Sequence, residues 1–544
     1  MQTALFLLST MLAAALPLDV DIRAVAALAG EPRIVSAAGV TRDGTPIVTI
    51  ENPDAFDARV TKRRLVLVGG LDGDEASARL VVDAVRWLKS SAPPEIRAAW
   101  TVSALPFADP DRRRTAMAFP PDKGFFDDAQ RPESRYVWRW MTFQAPDAVV
   151  EFFGPAAGAN ATLKGALSAE RAGGLGSVPY GQASSLQAFR VLLQAISGRT
   201  ATSPMHAALA ARIARAPLAI ARTLAAHYPE APGISYIPAL AWTETLRLAA
   251  IVDDESLRAR VREQARPWIA GEKKLFGDRV QLTAIAGTMI FAELAAGSAS
   301  ATGERDAAAA RALADEGAAL AAAEKSPAVP EYGQGWTDDM FMATSVLTRS
   351  GVRPGHEKEM DAAARLLTAY AARLQRSDGL FNHAVDGPAA WGRGNGFAAL
   401  GLLNVLARMP VTHPARAQVL DIYRRQMAAV RMQQAPDGAW RQIIDEPGAY
   451  REETATAMLL SAMASGIRAG WLDRSYLPTV QRAWRALAAH IADAGTLVDV
   501  CAGTGAGPTK RYYFDRPAVT GADDRGGAMA LLAAMEVYEL KSLK

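Results

Sequence analysis

Tyr332-Gly333-Gln334-Gly335-Trp336-Thr337-Asp338-Asp339-Met340-Phe341-Met342 opens an amphipathic stretch that runs to about 349. A loop rich in glycine, aromatic and acidic residues gives directly onto apolar residues at helical spacing, which is the pattern of a helix mouth. The arrangement returns twice. Gly379-Leu380-Phe381-Asn382-His383-Ala384-Val385-Asp386 leads through Trp391-Gly392-Arg393-Gly394-Asn395-Gly396-Phe397 into a helix near 393–408, and Tyr450-Arg451-Glu452-Glu453-Thr454-Ala455-Thr456-Ala457-Met458 opens another near 451–469. Working outward, further amphipathic stretches lie near 206–226, 235–251, 254–269, 280–296, 304–323, 356–375, 414–434, 475–492 and 524–541. No tight short-period repeat links them, which argues against a solenoid. About twelve helices in the second half of the chain predict an (α/α)6 barrel, six hairpins closed into a toroid with its site on the loops at one end of the inner helices. Acids at helix starts ordinarily cap orphan N–H groups and complement the helix dipole. Trp, Arg, His and carboxylate together on successive mouths ask for more than capping.

Before about residue 205 the pattern changes. Leu65-Val66-Leu67-Val68-Gly69-Gly70 reads as a buried parallel strand, Glu75 to Lys89 as a helix, and Arg97–Val102 and Ala148–Phe153 as further strands. Strand-then-helix alternation predicts an α/β layer. Residues 155–205, rich in Gly, Ala and Ser, show no clear periodicity and are expected to complete this domain and lead into a linker. The region resembles the zinc carboxypeptidase-like fold. Gly69 to Glu75 (GGLDGDE) sits where that family has a strand end and a His-x-x-Glu ligand pair, Asp109-Pro110-Asp111 is similar to its Asn-Pro-Asp segment, and Pro132-Glu133-Ser134-Arg135 to the region after its Asn-Arg turn. The ligand-histidine position holds Asp72, and the first 205 residues contain no histidine. A catalytic zinc needs three protein ligands, usually with imidazole among them, and an open position for water. The expectation is a degenerate, non-catalytic module without metal.

Composition narrows the partners. The chain has 544 residues, 50% hydrophobic and 22% charged, with a net charge of +3. Both signs are spread along it, unlike the concentrated basic face that nucleic-acid binding needs. The single cysteine, Cys501, excludes an intramolecular disulfide and any cysteine-rich metal site. The apolar run Ala4 to Leu18 is short for a membrane span. Ala13-Ala14-Ala15 matches the small-residue pattern of a cleavage site, although no Lys or Arg precedes Arg23. The expected layout is a signal peptide over 1–18, an α/β module over 19–190, a linker and first helix over 191–230, and the barrel over 231–544. A periplasmic or secreted protein follows, with no membrane span in the mature form; its oligomeric state is left open.

The second half resembles the unsaturated glucuronyl and rhamnogalacturonyl hydrolases, glycoside hydrolase families 88 and 105. The shared motifs are WTDDMFM (336–342), GLFNHAVD (379–386), WGRGNGF (391–397), YREETATAM (450–458), VCAGTG (500–505) and DDRGGAMALLA (523–533). The resemblance implies action on oligosaccharides whose non-reducing end is a 4,5-unsaturated uronic acid. A general acid protonates C4, water adds at C5, and the hemiketal collapses with loss of the aglycone. No cofactor is involved. The reaction needs one carboxyl group able to give and take a proton, which partial burial among aromatic rings favours. By resemblance that group is Asp338. Asp339 faces elsewhere or caps the helix, since adjacent helical residues point about 100° apart. The family's second aspartate falls nearest Asp278. Arg393, with its fork of donors, suits the uronate carboxylate. Trp336 and Trp391 would stack on the sugar, with His383 beside them and Phe397 where the family usually has Trp. Val385 stands where an aromatic is usual, and no histidine precedes Trp336 between Lys325 and Gly335.

Two alternatives stand beside this reading. A hydrolase of saturated glucuronides needs two carboxylates about 5–5.5 Å apart if retaining or about 6.5–9.5 Å if inverting, for which Asp338 could pair with Asp278 or Glu453. A non-catalytic carbohydrate-binding protein would leave Asp338 exposed or locked in a structural salt bridge.

Overall fold

A computed structural model describes residues 17–28, 34–52, 56–57, 60–113, 117–121, 132–154, 158–168, 178–198, 201–297, 304–503 and 505–541. Most of the apolar run 4–18, including the expected cleavage segment Ala13–Ala15, lies outside them.

Six strands form the N-terminal sheet: β1 (Val35–Val40), β2 (Pro46–Ile50), β3 (Arg63–Val68), β4 (Trp100–Leu105), β5 (Ala148–Phe152) and β6 (Tyr180–Ala183), in the order β1-β2-β4-β3-β5-β6. β4, β3, β5 and β6 are parallel, while β2 runs antiparallel to both β1 and β4. Helices α1 (Leu18–Ala27), α2 (Glu75–Ser90), α3 (Pro94–Ala99), α4 (Pro132–Phe143), α5 (Ala161–Ser168) and α6 (Leu186–Ser197) cover it. The period of two sorts β3 between layers. Leu65 and Leu67 join a core with α1, α2, α3 and α6, whereas Val66 and Val68 join one that holds Val137 and Met141 of α4 and continues into the barrel.

Two expected boundaries move. The strand placed over 97–102 begins at Trp100, because Pro94 fits the first turn of a helix and starts α3 instead. The α/β module runs past 190 to Ser197, since α6 buries Phe189 and Leu193 in its core.

The helical half comprises α7 (Pro204–Ala214), α8 (Pro217–His227), α9 (Tyr236–Val252), α10 (Glu255–Ile269), α11 (Leu282–Gly287), α12 (Met289–Gly297), α13 (Glu304–Ala322), α14 (Thr337–Gly351), α15 (Glu357–Leu374), α16 (Gly392–Arg408), α17 (Arg416–Met432), α18 (Glu453–Arg468), α19 (Leu477–Ala489), α20 (Lys510–Phe514) and α21 (Asp524–Lys541), with a short hairpin of β7 (Glu324–Ser326) and β8 (Val329–Pro330) before α14. The stretch 206–226, expected as one helix, is two, because Pro217 supplies no N–H and begins α8 afresh. α9, the α11–α12 pair, α14, α16, α18 and α21 pack in a closed ring, with α8, α10, α13, α15, α17 and α19 against its outside. Each outer helix packs chiefly on the inner helix before it, and α8 closes the outer layer against α21, so the ring takes in α8 ahead of residue 231. Inner α14, α16 and α18 are buried nearly all round, while outer α17 buries one stripe. Close approach is built in: a Cβ on Gly401 of α16 would lie 2.4 Å from Met340 O of α14. Among the described residues no helix is long and apolar enough to cross a membrane.

The two halves share a buried polar seam. Arg451 donates through Nη2 to both carboxylate oxygens of Glu51 at 2.6 Å, through Nη1 to Ala37 O at 2.9 Å, and through Nε to Asp437 at 2.9 Å. Arg139 of α4 donates to Arg451 O at 2.9 Å and pairs with Asp499 at 2.8 Å. Arg441 reaches Ser36 Oγ at 2.8 Å. The α/β module is thereby fastened to the loops at the start of α18.

Candidate active site

Asp338 stands in the first turn of inner helix α14, with its side chain 16% exposed. His383 Nε2 lies 3.1 Å from Asp338 Oδ2, and His383 Nδ1 lies 2.9 Å from the Tyr513 hydroxyl. That hydroxyl also accepts from Gly507 N at 3.2 Å. Burial pushes the Tyr513 phenol up to about 12, so it remains a donor. The partners then fix one tautomer: Tyr513 donates to Nδ1, and Nε2–H donates to Asp338. Asp338 Oδ1 makes no hydrogen bond among the described residues, which leaves one oxygen of a held carboxyl group turned to the mouth.

His383 itself is fully enclosed. Its N–H bonds Ala389 O at 2.9 Å, its carbonyl accepts from Thr337 N at 3.0 Å, and its ring lies 5.3 Å from Trp336 and 4.4 Å from Trp391. Expected as a sugar contact, the ring is instead enclosed behind Asp338, holding one carboxylate oxygen. Trp391 is likewise buried, its Nε1 on Gln442 at 3.3 Å, so its ring is wall and does not offer a stacking face. Phe397 is buried under the site, stacked on Phe341 at 5.8 Å and edge-on to Tyr236 at 5.6 Å. Trp336, half-buried, is the indole left at the mouth.

Arg393 departs furthest from expectation. Its guanidinium is buried and donates to Cys501 O at 2.7 Å and Ala502 O at 2.9 Å, with its carbon 4.9 Å over the Trp391 ring. Strand β9 (Leu497–Cys501) pairs with β10 (Ala518–Gly521), and its end is gripped from both sides. Glu452 accepts from Cys501 N at 2.9 Å while capping α18 through Thr454 and Ala455 N–H. Arg393 and Glu452 thus fix the segment that carries Gly503 and Gly505 past Trp336. A Cβ on Gly505 would lie 3.5 Å from the Trp336 ring, and one on Gly503 the same distance from Arg525 Nη1. Cys501 packs in this grip, and burial pushes its thiol up.

Asp339 points away from Asp338. It accepts from Tyr370 OH at 2.6 Å and from the Gln334 and Gly335 amides at 2.9 and 2.7 Å, and burial raises it to about 6. Asp278, expected as the second aspartate, lies exposed in the loop that leads from α10 into inner helix α11 and makes no hydrogen bond with Asp338 among the described residues. Glu453 is fully enclosed beside Asp499, Glu452 and Asp437, and burial holds it well above the usual carboxylate range.

Two side chains were missed by sequence reasoning. Asp523 caps α21 through the amides of Arg525 and Gly526, at 3.0 and 3.1 Å, and holds Arg525 through Nε at 3.2 Å and Nη2 at 2.7 Å. Arg525 is 22% exposed, and its charge acts on Arg393 and on Tyr236. The motif 523–533 contained both, but nothing in the linear sequence places the start of α21 against Gly503 at the end of the 497–503 segment. Val385 stands exposed on the loop two residues beyond His383.

A closed six-hairpin ring with an acid held among aromatics at the inner-helix mouths defines a barrel glycosidase scaffold. The family model for Glycosyl Hydrolase Family 88 matches residues 235–541, and the chain belongs to that family. It is 30% identical over 179 residues to the unsaturated rhamnogalacturonyl hydrolase YesR of Bacillus subtilis, covering 31% of this chain and 50% of that one. It is 25% identical over 173 residues to an unsaturated 3S-rhamnoglycuronyl hydrolase of Alteromonas sp., covering 29% and 42%. The chain thus spans about half the length of the curated relatives it matches. Among solved structures, a possible family GH105 member from Salmonella enterica superposes with a TM-score of 0.53 at 17% identity, covering 59% of this chain and 93% of that one. A family 105 glycoside hydrolase of C. acetobutylicum gives 0.53 at 19%, covering 60% and 99%. These likenesses concern the barrel fold.

Proposed function

We propose that the protein hydrolyses oligosaccharides bearing a non-reducing-end 4,5-unsaturated uronic acid, by hydration of the enol ether. Asp338 in its acid form gives a proton to C4, and water adds at C5 as its proton returns to the same carboxyl group. The hemiketal so formed opens and releases the aglycone. One carboxyl group serves both transfers, and the supporting observation is Asp338, partly exposed in the first turn of α14 with Oδ2 held by His383 against Trp336. The relatives' activities point to the same substrate class.

Arg525 meets the uronate carboxylate in this reading. Its guanidinium is partly exposed and lies against Gly503, whereas Arg393 is committed to main-chain carbonyls. The saturated-glucuronide reading finds less support at Glu453, which is fully enclosed; for Asp338 with Asp278 the test is turnover of a saturated glucuronide. Around Asp72 and the strand ends of the first module, no group of three His, Cys, Asp or Glu stands together among the described residues. The proposal of a degenerate, carboxypeptidase-like module rests on the resemblance of residues 69–75, 109–111 and 132–135, and metal analysis of the purified protein tests it. The apolar N-terminal run supports export, for which N-terminal sequencing of the natural protein is the test. For the activity itself, lyase digests of several acidic polysaccharides should lose the absorbance of the conjugated C4=C5 bond. No loss on any digest, together with turnover of a saturated glucuronide, overturns the proposal.

A further inference from the structure

An aromatic layer packs beneath the mouth of the barrel. Phe341 lies 6.2 Å from Tyr236 and 5.8 Å from Phe397, and Tyr236 lies 5.6 Å from Phe397. Beyond this layer, at the C-terminal ends of the inner helices, lies a second cavity of about 920 Å3, lined by α9, α12, α14, α16, α18 and α21. It is separate from the mouth: Asp338 and Arg349 are eleven residues apart on α14, about 16 Å along its axis. Such a volume suits a small ligand.

Most of its charge is paired, Arg258 and Arg262 of α10 with Asp253 and Glu255 just outside it. Six arginines and four glutamates line it. Arg247 pairs with Glu244, Glu536 and Glu539, Arg468 with Glu536 and Glu539, and Arg349 with Glu293. Arg408 makes no ion pair and no side-chain hydrogen bond among the described residues. One turn earlier on the same face of α16, Asn404 Nδ2 is buried with no acceptor. The charge of Arg349 beside it, and burial, lower the Arg408 guanidinium to about 10. An arginine in the last turn of a helix is favoured by the helix dipole. The dipole and the charges of Glu293 and Glu244 favour Arg408 there, but they leave its guanidinium without a hydrogen-bond acceptor among the described residues and the Asn404 donor unsatisfied. An anion that also carries acceptor oxygens answers both, and the surrounding glutamates can receive hydroxyl donors.

We propose that this cavity binds a small hydroxylated monocarboxylate, a sugar acid, with its carboxylate on Arg408 and a neighbouring oxygen on Asn404 Nδ2. The test is thermal unfolding of the full chain with D-glucuronate, D-glucose or inorganic sulfate in excess. A Trp336→Ala background removes binding at the mouth. In that background glucuronate should raise the melting temperature by several degrees and glucose should not; adding Arg408→Met should abolish the shift, while Arg408→Met alone keeps wild-type turnover. If Arg408→Met does not fold, Asn404→Leu serves instead and should at least halve the shift. No glucuronate shift, or one that survives both substitutions, overturns the proposal. Sulfate matching glucuronate through Arg408 overturns the sugar-acid assignment in favour of a simple anion.

Discussion

Arg393 Nη1 donates to Cys501 O at 2.7 Å across a sequence separation of 108 residues. With Nη2 on Ala502 O and Glu452 on Cys501 N, it holds the end of β9 where the glycines pass Trp336. The most conspicuous basic residue of the motif region therefore acts on the main chain.

Arg393→Ala should accordingly lower stability and activity together. Two hydrogen bonds from a charged donor are worth about 1.5–3 kcal/mol each, and their buried acceptors would be stranded. A loss of about 3 kcal/mol or more in chemical denaturation, with kcat reduced as well, is the expected result. Arg525→Gln should behave oppositely. Melting should change little, while KM for the charged substrate rises about 10- to 100-fold, as expected for one lost charge-assisted contact. An unchanged KM would remove Arg525 from the carboxylate site.

Asp338→Asn should lower kcat by about 10²–10⁴-fold, the range for a lost general acid, with an unaltered melting temperature. His383→Gln tests the positioning role. Its side chain reaches Asp338 and the Tyr513 hydroxyl and no solvent. kcat should fall with KM nearly constant, and Tyr513→Phe should give a smaller fall of the same kind. A rise in KM alone would mean that His383 touches the sugar.

Much of this barrel could be read from the sequence because its inner and outer helices differ in pattern, and three mouths announce themselves by composition. The roles within the mouths could not be read so well. Arg393, Glu452 and Trp391 look like site residues because charge and aromaticity crowd at a helix start, yet their partners lie 108, 49 and 51 residues away. Tyr513, the residue that orients His383, is 130 residues from it. In the first module, β1 was missed because Val35–Val40 (VSAAGV) is mostly small residues, buried by α4 and by Gly448 of the barrel side rather than by its own bulk.

The seam between the halves makes stability of the barrel depend on the α/β module. Glu51 gives both oxygens to Arg451, whose neighbour Glu452 caps α18 and grips β9. Removing one partner of a buried pair costs about 3–5 kcal/mol, because the other charge remains enclosed. Glu51→Ala should therefore destabilise the whole chain by that amount in a single unfolding transition. Two separate transitions, with the barrel unaffected, would show that the seam does not couple the halves.

Asp499 gives the seam a pH dependence. Its carboxyl pairs with Arg139 at 2.8 Å, but neither oxygen receives an aligned N–H, and burial raises it from 3.8 to about 6. The folded state therefore binds this proton more tightly than the unfolded chain. Its stabilising effect is complete below about pH 4 and is lost as the pH rises through 6. Two pKa units correspond to about 3 kcal/mol. Asp499→Asn keeps the shape without the charge, so it should be more stable than the wild type by up to about that amount at pH 7.5, with the difference vanishing near pH 4. His490, lowered to about 4 by burial, acts the other way, losing stability as the pH falls from 6.5; because both proteins contain it, it cancels in the comparison. Denaturation curves of the two proteins at pH 4, 5.5 and 7.5 measure the difference, and a gap independent of pH would show that Asp499 is already ionised in the folded chain at pH 4.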